Sequence, residues 1–119
     1  MKRDDYNQFC AALPATTHVV QWGGADVWKM GGKVFAIGGW SDGETPYVTF
    51  KVSPLAFDIL KEQAGCRPAP YLTSRAMRWI QRTDATTMTD SDLKDYIRAS
   101  HTIVAKGLSK KKRAELGLI

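Results

Sequence analysis

The chain is poor in the side chains from which catalytic and metal centres are built: two cysteines, Cys10 and Cys66, and two histidines, His18 and His101, stand in 119 residues. Two cysteines cannot supply a framework of several bridges, and in a reducing compartment each is more often a small buried hydrophobe. None of the four has the close paired spacing of a structural zinc site, so neither a metal nor a cofactor is expected. Ser100 and His101 are neighbours on a helical pattern and point about 100° apart, which prevents a direct base-to-nucleophile hydrogen bond. Long apolar runs are missing too. The opening Met1-Lys2-Arg3-Asp4-Asp5-Tyr6 carries charge where a secretory signal needs an apolar core, and no stretch approaches the length of a bilayer span. A cytoplasmic, non-enzymatic protein with no membrane partner is expected.

What the chain has in excess is positive charge at one end. Residues 94–119 hold seven Lys or Arg against two Asp or Glu, whereas residues 1–93 hold ten of each. The focus is Lys110-Lys111-Lys112-Arg113, a block that attracts phosphates or an acidic partner if it lies on one accessible surface. A solvated terminal helix accounts for the same block, because four adjacent residues spread around most of a helix.

Apolar periodicity and turn residues indicate α+β architecture over residues 1–119 as one domain. Tyr6, Phe9, Cys10 and Leu13 recur at helical spacing until Pro14, predicting a first helix from about Asp4. Gly23-Gly24 and Gly31-Gly32 then punctuate runs of β-branched and aromatic residues. Read as two-residue turns, they give three antiparallel strands: His18 to Trp22, Ala25 to Met30 and Lys33 to Trp40. That register puts Val19, Trp28, Met30, Phe35 and Ile37 against the helices. His18, Val20, Trp22, Val27, Lys29, Val34 and Trp40 then fall on an open face. A fourth strand is predicted over Tyr47 to Val52, and a second helix from Ser53-Pro54 to Gly65. Arg67-Pro68-Ala69-Pro70 reads as a crossover, and Tyr71-Leu72 with Ala76 to Thr83 as a fifth strand region or broken hairpin. Thr89 with Asp92 forms a capping-box pattern ahead of a third helix that ends at Gly107, and a short basic helix follows over 109–117. The expected order is α-β-β-β-β-α-β-α-α, a single antiparallel sheet of about five to six strands with helices on one face.

Three strings occur in order: Val27-Trp28-Lys29-Met30-Gly31-Gly32-Lys33-Val34-Phe35-Ala36, then Pro68-Ala69-Pro70-Tyr71-Leu72 with Trp79 downstream, then Ser100-His101 leading to Val104 and Leu108. Together they resemble the MmcQ/YjbR family over nearly the whole chain. Two positions depart from its pattern: Thr73 stands where Gly is expected after Tyr-Leu, and Ser100-His101 where relatives often carry Ser-Tyr. The resemblance implies a frataxin-like CyaY fold and a DNA-binding role through a double-wing arrangement of hairpins. It carries over no catalytic residues. Frataxin-like iron binding would need an acidic ridge near the first helix, where only Asp4 and Asp5 lie.

The residues add two basic clusters to that implication. Lys29 and Lys33 flank the Gly31-Gly32 tip, as the cations of a wing would. Arg75, Arg78 and Arg82 interleave with Tyr71 and Trp79, a pattern that fits backbone neutralisation with base stacking. It equally fits Trp79 buried against the third helix with Arg78 and Arg82 as a solvated face. The leading expectation is therefore a monomeric DNA-binding domain of weak sequence preference that contacts phosphates through Lys29, Lys33, Arg75, Arg78, Arg82 and the block Lys110, Lys111, Lys112 and Arg113. The alternative is a protein-interaction or small-ligand module whose open face carries Trp22 and Trp40, bordered by Tyr71.

Overall fold

The computed structural model describes residues 1–70, 72 and 78–118. Ten elements follow in chain order: α1 Arg3–Ala11, β1 Thr16–Gln21, β2 Ala25–Met30, β3 Lys33–Gly39, β4 Tyr47–Lys51, α2 Pro54–Leu60, β5 Cys66–Pro68, β6 Trp79–Arg82, α3 Asp90–Lys106 and α4 Lys110–Glu115. The strands form one open antiparallel sheet in the order β1-β2-β3-β4-β6-β5.

The helices form where the sequence supplies caps. Ser53 accepts the Ala56 N–H ahead of Pro54, and Ser109 accepts the Lys112 N–H. Thr89 and Asp92 complete a reciprocal capping box at the start of α3. The predicted second helix is shorter than expected, because α2 ends at Leu60. The segment Cys66–Pro68 is not a simple crossover: it is a strand that pairs with β6 at the sheet edge, a position that tolerates proline because one side of the strand needs no ladder donor.

Two details of register decide which side chains share a face. Gln21 pairs with Ala25, so the first turn contains three residues, Trp22, Gly23 and Gly24, all with positive φ. The one-residue difference from a two-residue turn sends His18 and Val20 to the helix side and Val19 to the other, reversing the predicted placement. The second turn is the expected pair Gly31-Gly32, with Met30 opposite Lys33. A bulge then intervenes, because Lys29 pairs with Val34 while Trp28 pairs with Ala36, leaving Phe35 as the extra residue. Phe35 and Ala36 both enter the helix-side core, and Ile37 moves to the opposite face beside Val27.

The main core joins Trp28, Met30, Phe35, Phe50 and Ile80 of the sheet to Tyr6 and Cys10 of α1 and to Leu93, Ile97 and Val104 of α3. The second face is not open. Ala25, Val27 and Ile37 are buried there, with Val34, Trp40 and Leu72 packed on them. Thr49, Trp79 and Gln81 are buried on the same side of the neighbouring strands. Tyr6 lies directly on the backbone of Gly38, where any side chain would run into the ring.

Helix α3 is fastened to the sheet by one hydroxyl. The β3–β4 ladder stops at Ala36–Phe50 because the bulge displaces Phe35 from the position opposite Lys51. Ser100 Oγ fills the gap, donating to Phe35 O at 2.7 Å and accepting from Lys51 N at 2.9 Å. Ser100 does pack on the buried stripe of α3, and its polarity is the reason it is there. Next to it, His101 Nε2 lies 2.7 Å from Pro14 O and its ring stands edge-on to Phe35. Replacing Ser100 with Ala orphans a carbonyl and an amide together, so a Ser100→Ala variant is expected to lose about 2–3 kcal/mol. Urea unfolding checks this: the midpoint should fall with an unchanged slope, and an unshifted midpoint would refute the bridge.

Candidate functional site

Three arrangements on this scaffold have chemical character: a charged cluster at α1, a basic surface around the β2–β3 turn, and a cavity beside the bulge.

The first centres on Asp26, a residue that no spacing in the sequence singled out. It sits on β2 opposite Val20 and is buried. Its carboxylate accepts from Arg3 Nε at 2.7 Å, from Arg3 Nη2 at 3.2 Å and from His18 Nε2 at 2.8 Å, while its backbone carbonyl accepts from Tyr6 Oη at 3.0 Å. His18 lies against the Trp28 ring, whose Nε1 donates to Asn7 Oδ1. Burial alone would raise the Asp26 pKa. The hydrogen bonds from Arg3 and His18, with the Arg3 charge, outweigh burial and hold it below the ordinary carboxylate value. A carboxylate-oriented imidazole is half of an acid–base device, yet the nearby thiol, Cys10, is buried and pushed up to about 12 chiefly by desolvation, so it stays protonated. The cluster therefore clamps α1 onto the β1–β2 hairpin.

The second arrangement brings the β2–β3 turn against the residues that flank the basic helix. Gly31 has φ 62°, and a Cβ there would meet Leu108 and Leu116 side-chain atoms at 2.8 and 3.2 Å. Those two leucines bracket α4, so the hairpin tip and the basic helix are neighbours. Lys33 and Lys110, Lys111 and Lys112 are exposed and Lys29 is half-buried. Arg113 is half-buried, and its Nε is buried without a hydrogen-bond partner among the described residues.

The arginine cluster is not assembled as a surface. Arg82 is 5% exposed, with Nε donating to Met88 O at 3.1 Å and Nη2 to Asp90 Oδ1 at 2.9 Å. The expectation of Arg82 on a solvated face is thereby corrected: pairing of Phe50 with Ile80 and of Val48 with Arg82 turns these β6 side chains to the helix side. Trp79 is buried as expected for a core residue, but it lies on the opposite face with Gln81. Arg78 is half-buried with its guanidinium 5.6 Å from the Phe57 ring centroid. Tyr71 and Arg75 lie outside the described residues. Of the other aromatic pair, Trp22 is half exposed and Trp40 half-buried, its Nε1 donating to Trp22 O at 2.9 Å. Both have positive φ, 53° and 66°.

The cavity measures about 440 Å³ and opens where β3 and β4 part beyond Ala36 and Phe50. Val34 and Ile37 of β3, Trp79 of β6 and Ile103 of α3 form its apolar walls, and Lys33 and Lys51 are its charged members. Among the described residues no group of three or more His, Cys, Asp or Glu is placed to hold a metal ion, and no helix is long and apolar enough to cross a membrane.

The sheet order, the flanking helices and the Gly-Gly hairpin define an open antiparallel α+β domain of the YjbR type. The YjbR family model matches residues 11–103, and the chain belongs to that family. The fold is also that of a crystal structure of Deinococcus radiodurans protein DR2400, described as a DUF419 domain. The two align with a TM-score of 0.83 at 24% identity, covering 99% of this chain and 89% of the other. No curated protein matches the chain.

The depressed Asp26 pKa fixes a sign for pH dependence. Stability from a carboxylate whose folded pKa is lowered is complete above the unfolded value near pH ~4 and is lost as pH falls through the folded pKa. Denaturant titrations from neutral to strongly acidic pH should show this acid loss in the wild type and a smaller one in Asp26→Asn, which should be less stable at neutral pH. Equal acid slopes in the two proteins would contradict the assignment.

Proposed function

We propose that the domain is a non-enzymatic binder of duplex DNA that engages the phosphate backbone through the β2–β3 hairpin and α4. The observation that carries the reading is the seating of Gly31 between Leu108 and Leu116. This contact makes the hairpin that carries Lys29 and Lys33 a neighbour of the helix that carries Lys110, Lys111 and Lys112, more than seventy positions away in sequence, and so supports a footprint that spans both elements. A hairpin projecting next to a basic helix suits a backbone groove, because lysines neutralise phosphates as flexible point charges. The proposed contacts carry no base-edge readout: lysines on a turn and on a short helix position a protein without reading sequence. Arg82 has no part in this footprint, since it is buried and tied to Met88 and Asp90. Arg78, over Phe57, lies outside it as well.

Fluorescence anisotropy with a labelled duplex at several salt concentrations tests the proposal. Wild-type binding is expected to weaken with a log-log slope of about −0.9 per phosphate neutralised. A Lys29→Ala/Lys33→Ala variant and a variant with Lys110, Lys111 and Lys112 changed to Ala should each bind more weakly and reduce the slope by roughly one per effective cation removed. Absence of binding by the wild type at low salt would overturn the proposal, as would binding that neither variant weakens.

A further inference from the structure

We propose that the cavity between β3, β4 and α3 is a binding site for a small amphipathic anion, an aromatic or aliphatic body carrying one carboxylate. The site shares Lys33 with the proposed DNA footprint, whereas Lys51, the lysine that tests it, lies outside that footprint.

The cavity exists for a structural reason. The bulge at Phe35 ends the β3–β4 ladder one pair early, and the two strands separate beyond Ala36 and Phe50. Ser100 ties the parting strands to α3 and so holds the gap at a fixed width. Its volume of about 440 Å³ falls within the range of small-molecule sites, roughly 300–1,000 Å³. Such a space on a small protein costs packing energy, since an unfilled apolar wall loses its dispersion partners.

The lining specifies the occupant. Val34, Ile37, Trp79 and Ile103 offer apolar and aromatic surface to an uncharged body. Lys33 and Lys51 are the charged side chains among the described lining residues, and no acidic side chain accompanies them. An anion is thus favoured over a cation at any position in the cavity. A compact carboxylate suits ammonium groups beside an apolar chamber, where reduced screening strengthens the attraction.

A set of unspent polar groups lies alongside. Trp79 Nε1, Gln81 Nε2 and Thr49 Oγ1 are buried and have no hydrogen-bond partner among the described residues. Trp79 is itself a wall of the cavity, while Thr49 and Gln81 face each other across β4 and β6 on the same side of the sheet. Gln81 Oε1 accepts from Arg67 Nε at 2.7 Å, so only its amide donor is idle. Buried polar groups are nearly always partnered in folded proteins. Trp79 joins this polar group to the cavity wall, and the three atoms themselves are enclosed by protein behind it.

Isothermal titration calorimetry of the full chain with naphthalene-2-carboxylate and with octanoate, each against its neutral amide, tests the assignment. At least one carboxylate should bind saturably and about tenfold more tightly than its amide. Lys51→Ala should abolish that preference while leaving the amide's affinity unchanged. Ile103→Trp, which fills the chamber from the helix side, should abolish binding of both. Because a bulky substitution can disturb folding, thermal melting is run in parallel, and Val34→Phe serves as a second filling variant. Failure of both carboxylates to saturate below millimolar concentration would overturn the proposal. So would equal binding of acid and amide, or binding undiminished in a filled variant that melts like the wild type.

Discussion

The hydroxyl of Ser100 makes the rest of this architecture possible. A bulge in a central strand leaves a carbonyl and an amide facing a gap, the carbonyl in a buried bond and the amide in a part-buried one. Supplying one group that donates to Phe35 and accepts from Lys51 satisfies both at once. It also fixes the rotation and height of α3 on the sheet, since the other buried residues of that stripe, Leu93, Ile97 and Val104, must follow. A threonine would add a methyl group at a fully buried position, and an alanine would remove the bridge. The narrow chemical requirement explains why a polar residue interrupts an otherwise apolar stripe.

Around this point the sheet has two unlike faces. The helix side is a continuous apolar core with charged ties at its margin: Asp26 gathers Arg3 and His18 and leaves its carbonyl to Tyr6, and Arg82 reaches Asp90. Tyr6 reaches that carbonyl only because Gly38 presents bare backbone beneath the ring. The opposite side mixes aliphatic residues with polar atoms that have no partner among the described residues, and it carries a partly open cavity.

Charge is divided in the same way. Some cations are consumed by the fold: Arg82 closes the start of α3 against Asp90, and Arg67 holds Gln81. Others remain exposed, Lys33 on the hairpin and Lys110, Lys111 and Lys112 on α4, and the contact of Gly31 with Leu108 and Leu116 makes those two elements neighbours.

The sequence by itself determined the elements and their order, because their causes are local. The capping box at Thr89, the Ser53-Pro54 start, the Gly31-Gly32 turn and the helical stripes of α1 and α3 each act within a few residues. Only the tertiary structure decided which face each strand residue occupies, since a third turn residue at Trp22 and a bulge at Phe35 each shift a period-two pattern by one. The same holds for Arg82, which reads as a surface cation in one dimension and becomes an internal tie once β6 pairs with β4. The partners of Asp26, the bridge made by Ser100 and the cavity were illegible for a common reason. Each depends on groups brought together from separate strands and helices, and no spacing along the chain encodes a distance across it.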